Sequence, residues 1–316
     1  NQAWLLLNTA NGQHAAVTAW LGARQSGDMP EDVLREVFMM AVNAKAHALT
    51  VVAGQRLPPS SMKPAEQVML AQALMAQART AESLAVWRQL RTQSQAYNDD
   101  YGLALSQAVG RGVGGAAEAE WVAWLVTSLK SMAPGKRRDD TVQQLLQLGA
   151  HDQVLPSLES MAVSDPIRWL QAFETAAAKA GRSEVLLPVW RKVVAQSALP
   201  VATRQQVAVQ LFDAGDKTNA DLALRMLVVD KGPDDPLVQR LFDHWGTRWA
   251  PDQLDWAEAR ALTVRAGADA ETVRATWLKK LNDVGGAART TAVYKRLQTK
   301  PTRGPVFDAY VDALTK

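Results

Sequence analysis

The sequence predicts an all-α protein, a right-handed α-solenoid superhelix built from about nine helix-turn-helix repeats of about 34 residues. Three observations favour this fold. A bulky residue recurs nine positions after a turn, proline recurs with a similar period, and the intervening segments carry apolar residues at helical spacing. Ala, Leu and Gln abound in those segments while β-branched residues are sparse, which favours helix over strand.

The bulky residue is the clearest mark of the repeat. Its strong copies are Trp20 after Asn11, Trp87 after Ala78, Trp121 after Gly112, Trp190 after Gly181 and Tyr294 after Gly285. Weaker copies complete the series: Ala53 after Ala44, Leu158 after Gly149, Leu224 after Gly215 and Trp256 after the turn at Trp245-Gly246. Because one hairpin cannot bury its apolar face alone, we expect Trp87 and Trp190 to fill the seams between stacked repeats.

Proline marks the repeat starts independently, at Pro30, Pro64, Pro166, Pro200 and Pro233. Proline costs no hydrogen bond in the first turn of a helix, and it pushes the preceding residue out of the helical region. Each of these positions is therefore predicted to lie at a break that is followed by a new helix. Because two unrelated residue types keep one period, we expect a single array over residues 1–316.

Each repeat is predicted to contain two amphipathic helices. In the third repeat the first helix carries Leu70, Ala71 and Leu74, and the second carries Ser83, Trp87 and Leu90. This pattern resembles the tetratricopeptide repeat. Each unit of that family has characteristic bulky and small residues in its first helix and characteristic small and aromatic residues in its second. The Leu-Gly of that family is Leu70-Ala71 here and Leu105-Ser106 in the fourth repeat, so a related helical-hairpin solenoid is the alternative.

Composition excludes several chemistries. The chain has no Cys, which rules out disulfides, thiolate metal sites and Cys nucleophiles. His14, His47 and His151 are predicted to begin second helices, about 10 Å apart in neighbouring repeats, too far for shared zinc coordination. His244 stands alone on a first helix. The net charge of +3 does not indicate nucleic-acid binding, and no apolar stretch reaches the ~18–20 residues of a membrane span.

No catalytic set emerges either. Glu159-Ser160 superficially matches the catalytic pair of lytic transglycosylases, but the surrounding sequence is typical of a second helix. The glycines of residues 110–115 fit neither phosphate-binding loop pattern. We therefore expect no catalytic residue, no cofactor and no metal.

Residues 131–140 strain the repeat and are predicted to form a polar surface loop with the basic cluster Lys136, Arg137 and Arg138. Such a loop is either a binding feature or simply solvated.

The resemblance to tetratricopeptide arrays implies that first helices line a concave groove. Transferred to this chain, it selects the polar positions Gln72, Gln107, Arg111, Arg168, Gln171, Lys179, Gln205 and Lys279. The family's paired Lys and Asn clamp for C-terminal carboxylates is not found. The alternative is that these residues are ordinary solvated helix faces.

A second candidate surface is basic. From Arg274 to Arg303 eight basic residues face one acid, Asp283; they are Arg274, Lys279, Lys280, Arg289, Lys295, Arg296, Lys300 and Arg303. Lys279, Lys280, Lys295 and Arg296 are predicted to dock an acidic protein surface or an anionic polysaccharide. The alternative is again ordinary solvation.

These features predict a non-enzymatic scaffold for protein partners. The Cys-free, Ala- and Gln-rich repeats resemble those of bacterial exopolysaccharide-export proteins, which implies assembly of a synthesis and export complex in the periplasm. The alternatives are a cytoplasmic peptide- or protein-binding regulator and the helical, non-catalytic arm of an enzyme. Since the chain begins at Asn1 without Met, we expect it to be part of a longer protein.

Overall fold

The protein is all-α, as predicted. The computed structural model describes residues 1–24, 29–264, 269–297 and 304–315, and these contain helices, turns and no strand. In the first half of the chain the α-helices are α1 (Gln2–Ala10), α2 (His14–Gly22), α3 (Glu31–Asn43), α4 (His47–Gly54), α5 (Pro64–Ala76), α6 (Thr80–Gln93), α7 (Asn98–Gly110), α8 (Ala116–Ser131) and α9 (Lys136–Gln147). In the second half they are α10 (His151–Ser164), α11 (Pro166–Lys179), α12 (Leu186–Val194), α13 (Val201–Asp213), α14 (Lys217–Leu227), α15 (Pro236–Trp245), α16 (Pro251–Thr263), α17 (Ala270–Leu297) and α18 (Pro305–Thr315).

The helices come in pairs separated by a left-handed residue. These residues are Gly12, Lys45, Ala78, Gly112, Gly149, Gly181, Gly215, Gly246 and Gly286, the last of which divides α17 into two halves. The predicted turns lie at or within one residue of them. In the first seven, the next residue donates its N–H to a carbonyl five positions back, as Arg182 does to Ala177 at 2.8 Å. That bond is the mark of the Schellman motif, which ends a helix sharply.

The chain forms two compact units, Asn1–Ala150 and His151–Lys316. Within the first unit, the helices in close contact are chain neighbours, together with α1 on α3 and α2 on α4. Within the second, they are again chain neighbours, together with α10 on α12. This nearest-neighbour packing inside each unit is typical of helical repeats. The single array over residues 1–316 and its right-handed superhelix stay predictions.

The marker residues lie mostly in the core. Ala53, Trp87, Trp121, Leu158, Trp190, Leu224 and Tyr294 are buried, and Trp20 and Trp256 are half-buried. The hairpin of α5 and α6 shows how the small marks pack, because the buried Ser83 hydroxyl donates to the Ala71 carbonyl at 2.7 Å. Burying a hydroxyl without a partner would be unfavourable, and this bond removes that cost.

Proline begins or precedes the helices largely as predicted. Pro64 and Pro166 are the first residues of α5 and α11, and Pro30 and Pro200 cap α3 and α13. The fifth prediction is offset, because α15 begins at Pro236 rather than beside Pro233. No helix within the described ranges is both long and apolar enough to cross a bilayer.

Residues 131–140 differ from the prediction of a polar loop. α8 continues to Ser131 and α9 begins at Lys136, so the basic cluster Lys136, Arg137 and Arg138 forms the first turn of a helix. The loop was predicted because these polar residues lie in the 37-residue interval between Trp121 and Leu158, which is longer than the repeat of about 34 residues. The apolar positions Val142 and Leu145 are both fully buried, and their packing holds α9 in place from its first turns.

Candidate functional site

Three of the predicted groove residues lie together in the first unit. Gln72, Gln107 and Arg111 line one surface cavity of about 320 Å³. We name it the α5–α7 groove. Its other lining residues are Met75, Ala76, Trp87, Asp100, Leu103 and Ala104. Residues that the groove prediction selected on two consecutive first helices therefore line the same cavity.

The wall from α7 follows one helical stripe. Asp100, Leu103, Ala104, Gln107 and Arg111 recur at intervals of three or four residues, which places them on the same side of the helix. Asp100 lies in the first turn of α7, and Arg111 caps its last turn. At 1.5 Å per residue the Cα atoms of these two residues lie about 16 Å apart along the helix axis. The groove therefore has an acidic end and a basic end.

The floor and rim of the groove are apolar. Trp87 from α6 and Met75 from α5 are buried beneath it, whereas the Leu103 side chain is 59% exposed. An exposed leucine beside a buried tryptophan offers a contact for an apolar side chain of a ligand. Sequence reasoning missed Asp100 and Leu103, although the helical spacing from Gln107 could have found both.

Arg111 also has a structural role. Its guanidinium donates a hydrogen bond to the Met75 carbonyl, near the end of α5, and thereby ties α7 to α5. The same carbonyl accepts the Ala78 N–H at 3.1 Å, so the guanidinium is its second donor. The bond also fixes the guanidinium at one end of the groove.

An ionic network braces α7 from another side. The Arg88 guanidinium from α6 donates to the Glu120 carboxylate of α8 at 2.8 Å, and the Tyr101 hydroxyl of α7 donates to the same carboxylate. The hydrogen bond from Arg88 holds the pKa of Glu120 below its usual range, against the opposing effect of burial. Burial and the bond to Glu120 raise the pKa of Tyr101. Three helices are thus linked through one carboxylate, which positions the α7 wall.

The predicted groove residues of the second unit are placed differently. Arg168, Gln171 and Lys179 are exposed on α11, with the Arg168 guanidinium 5.0 Å from the ring centroid of Trp169. Gln205 is half-buried and donates its side-chain amide to the Leu227 carbonyl at 2.9 Å. It therefore joins α13 to the end of α14 and is less accessible to a ligand than Gln72 or Gln107.

Two cations of the basic stretch are paired with acidic residues of α16. Arg289 lies 2.8 Å from Asp255, and Arg296 lies 2.6 Å from Glu258. Arg274 donates to the Val264 carbonyl at 2.9 Å. The two ion pairs reduce the net positive field that the sequence suggested.

Other members of the basic stretch remain candidates for docking. The Lys280 ammonium lies 4.9 Å from the ring centroid of Phe242, a cation–π contact. Lys279 and Lys295 are exposed. Lys300 and Arg303 lie outside the described residues.

The candidate chemical groups are dispersed. Within the described ranges no three His, Cys, Asp or Glu side chains come together as a metal ion would require. His14, His47 and His151 begin α2, α4 and α10, as predicted. His244 packs edge-on against Phe212, with ring centroids 5.5 Å apart. The Glu159 carboxylate is 43% exposed and lies 3.6 Å from the Lys192 ammonium, an ordinary surface ion pair.

Comparison of the chain with protein-family models, with curated proteins and with solved structures finds no match. The tetratricopeptide repeat is therefore a resemblance in residue pattern, and the paired helices of the described residues are compatible with it. The geometry of the α5–α7 groove remains the main guide to function.

Proposed function

We propose that the protein is a non-enzymatic scaffold that binds a segment of a partner protein in the α5–α7 groove. The observation that carries the proposal is the gathering of Gln72, Gln107 and Arg111 around the exposed Leu103. Carboxamides offer both donors and acceptors, and these suit the N–H and C=O groups of a peptide backbone. Leu103 and the underlying Trp87 suit an apolar side chain.

The dimensions of the groove suit a short peptide. The Cα atoms of Asp100 and Arg111 are about 16 Å apart along the α7 axis, which corresponds to about five residues of an extended chain. The two charges at the ends of the groove favour one direction of binding, with a basic group of the ligand near Asp100 and an acidic group near Arg111.

We place this scaffold in a bacterial exopolysaccharide synthesis and export complex in the periplasm. The support is the Cys-free, Ala- and Gln-rich composition of the repeats. A cytoplasmic peptide-binding regulator and a helical arm of an enzyme are the rival functions. Fractionation of the native cells distinguishes the periplasmic scaffold from the cytoplasmic regulator, because recovery in the cytoplasmic fraction would contradict the periplasmic proposal. Hydrolysis of glycans by the purified chain, lost on Glu159→Gln, would contradict a non-enzymatic role.

Peptide selection tests the groove itself. A displayed library of random heptapeptides is selected on the purified chain, and the affinities of the selected peptides are measured by calorimetry. We expect Leu103→Asp to weaken binding at least about tenfold, since it places a charge against the apolar part of the groove. Leu222→Asp is the matched control, because Leu222 is 58% exposed but lies on α14 in the other unit. Equal loss in both variants, or in neither, would contradict the assignment.

A further inference from the structure

A second cavity in the first unit shares no lining residue with the α5–α7 groove. It has a volume of about 630 Å³ and is bordered by the start of α7, the end of α8 and the start of α9. This volume is within the range of small-molecule sites. We name it the α7–α9 cavity. Its lining residues are Asn98, Asp99, Thr127, Ser128, Ser131, Met132, Ala133, Pro134, Gly135, Lys136 and Arg137.

One wall of this cavity carries cations in an unfavourable place. Lys136 and Arg137 line it, and with Arg138 they put three adjacent positive charges in the first turn of α9, against the single carboxylate of Asp139 in that turn. The helix dipole disfavours cations at this end. Within the described ranges neither Lys136 nor Arg137 forms an ion pair that would offset this cost. An arrangement that violates a local rule without a structural gain is expected at functional sites.

The remaining walls are rich in acceptors. The Thr127 hydroxyl donates to the Ala123 carbonyl at 2.8 Å, and the Ser131 hydroxyl donates to the Ser128 carbonyl at 3.0 Å. With their hydrogens engaged, both hydroxyl oxygens keep lone pairs that can accept from a ligand. The Asp99 carboxylate is a further acceptor. A ligand that satisfies this cavity needs hydrogen-bond donors in addition to a negative charge.

We propose that the α7–α9 cavity binds an acidic sugar unit, with its carboxylate on Lys136 and Arg137 and its hydroxyl groups on Asp99 and the Ser and Thr oxygens. An acidic sugar carries a carboxylate and several hydroxyl donors on one ring, whereas a simple oxyanion would meet the Asp99 charge with nothing to donate. The proposal rests on the proposed function for the source of the sugar, an exopolysaccharide. It uses no residue of the α5–α7 groove.

Calorimetry with defined oligosaccharides tests the proposal. The probes are a β-1,4-linked glucuronate tetramer, the corresponding glucose tetramer and tri-aspartate. We expect the glucuronate tetramer to bind at least about tenfold more tightly than the other two, because only it offers both charge and hydroxyl donors. Absence of glucuronate binding, or tighter binding of tri-aspartate, would overturn the proposal.

Two variants assign the binding to this cavity. Arg137→Gln should weaken glucuronate binding at least about tenfold, since it removes a charge-assisted hydrogen bond. Lys130→Gln is the matched control, because Lys130 is an exposed cation at the end of α8 that does not line the cavity, and it should change the affinity less than about twofold. Equal effects of the two would overturn the site.

Asp99→Ala distinguishes the acidic sugar from a simple anion, because it removes the acceptor together with the charge, whereas Asn would keep a carbonyl acceptor. If Asp99 accepts sugar hydroxyls, the variant weakens binding; if the cavity holds only an oxyanion, removal of the negative charge tightens binding, and the proposal fails. The selected groove peptides provide the separate control. Their binding to Arg137→Gln at wild-type affinity, with or without sugar binding, shows that the two proposals stand or fall independently.

Discussion

Gly102 provides a sharp test of how α7 packs against α8. It is buried in the interior of α7, where glycine is about 1 kcal/mol less favourable than alanine. A Cβ atom at this position would lie 2.4 Å from two ring atoms of Trp124, far inside van der Waals contact. The ring cannot easily move, because its N–H donates to the Asn98 carbonyl at 3.0 Å and it stacks on Trp121 with centroids 5.1 Å apart.

Gly102→Ala is therefore expected to destabilise the protein by about 1–3 kcal/mol. Overpacking costs about 1–3 kcal/mol and disturbance of the Trp124 hydrogen bond about 1 kcal/mol more, against about 1 kcal/mol gained in helix propensity. Urea unfolding followed by far-UV circular dichroism measures the change. The control is Gly110→Ala at the end of the same helix, where no atom lies within 4 Å of the added Cβ, and it should be neutral or slightly stabilising.

A double mutant locates the cause of the effect. In a Trp124→Leu background the clash is removed, so Gly102→Ala should become neutral or stabilising by up to about 1 kcal/mol. If Gly102→Ala were as stable as the wild type in both backgrounds, the close packing of α7 on Trp124 would be refuted. A loss of the same size in both backgrounds would show that the ring is not what excludes the Cβ.

Three further predictions concern the repeat framework. Trp190→Ala should cost about 3–5 kcal/mol in denaturant titration, because it empties a buried position between helices, and a loss below about 1 kcal/mol would contradict its role in the core. Ala78→Gly should stabilise the protein by up to about 1 kcal/mol and Gly181→Ala should destabilise it by about as much, since both positions are left-handed; opposite signs would refute the assigned turns. Because the pKa of Glu120 is lowered in the fold, its bond to Arg88 stabilises the protein fully above about pH 4.3. That stabilisation is lost as the pH falls through the folded-state pKa. The Glu120→Gln variant should therefore show a weaker loss of stability in acid, by at most about 1 kcal/mol, and an unchanged acid dependence would contradict the network.

The turns show how far local sequence can predict this fold. A left-handed residue after a helix is most favourable for glycine, so Gly112, Gly149, Gly181 and Gly215 were recognisable as turns from the sequence alone. Lys45 and Ala78 adopt the same backbone conformation without being glycine. Turns at these two places were predicted only from the spacing of the repeat, because neither residue type indicates a turn.

Interactions between helices were harder to predict. The basic residues after Arg274 suggested a docking surface, yet the partners of Arg289 and Arg296 lie more than 30 positions away, on α16. The same holds for Gly102, whose place in a helix interior is explained only by the Trp124 ring on the next helix. Gln72 and Gln107 were selected because the resemblance to tetratricopeptide arrays predicts which side of a first helix faces a groove. Leu103 and Asp100 line the same cavity but were not selected.

By itself the sequence determined the helical class, the pairing of helices and the turns between them. These properties depend on apolar spacing, proline and left-handed residues, and all of them act within about 34 residues. Only the tertiary structure decided which charges are neutralised, which glycine must remain small and which polar residues share a cavity. Those properties depend on side chains from different helices meeting in space, and the distance between such side chains is set by packing and not by their separation along the chain.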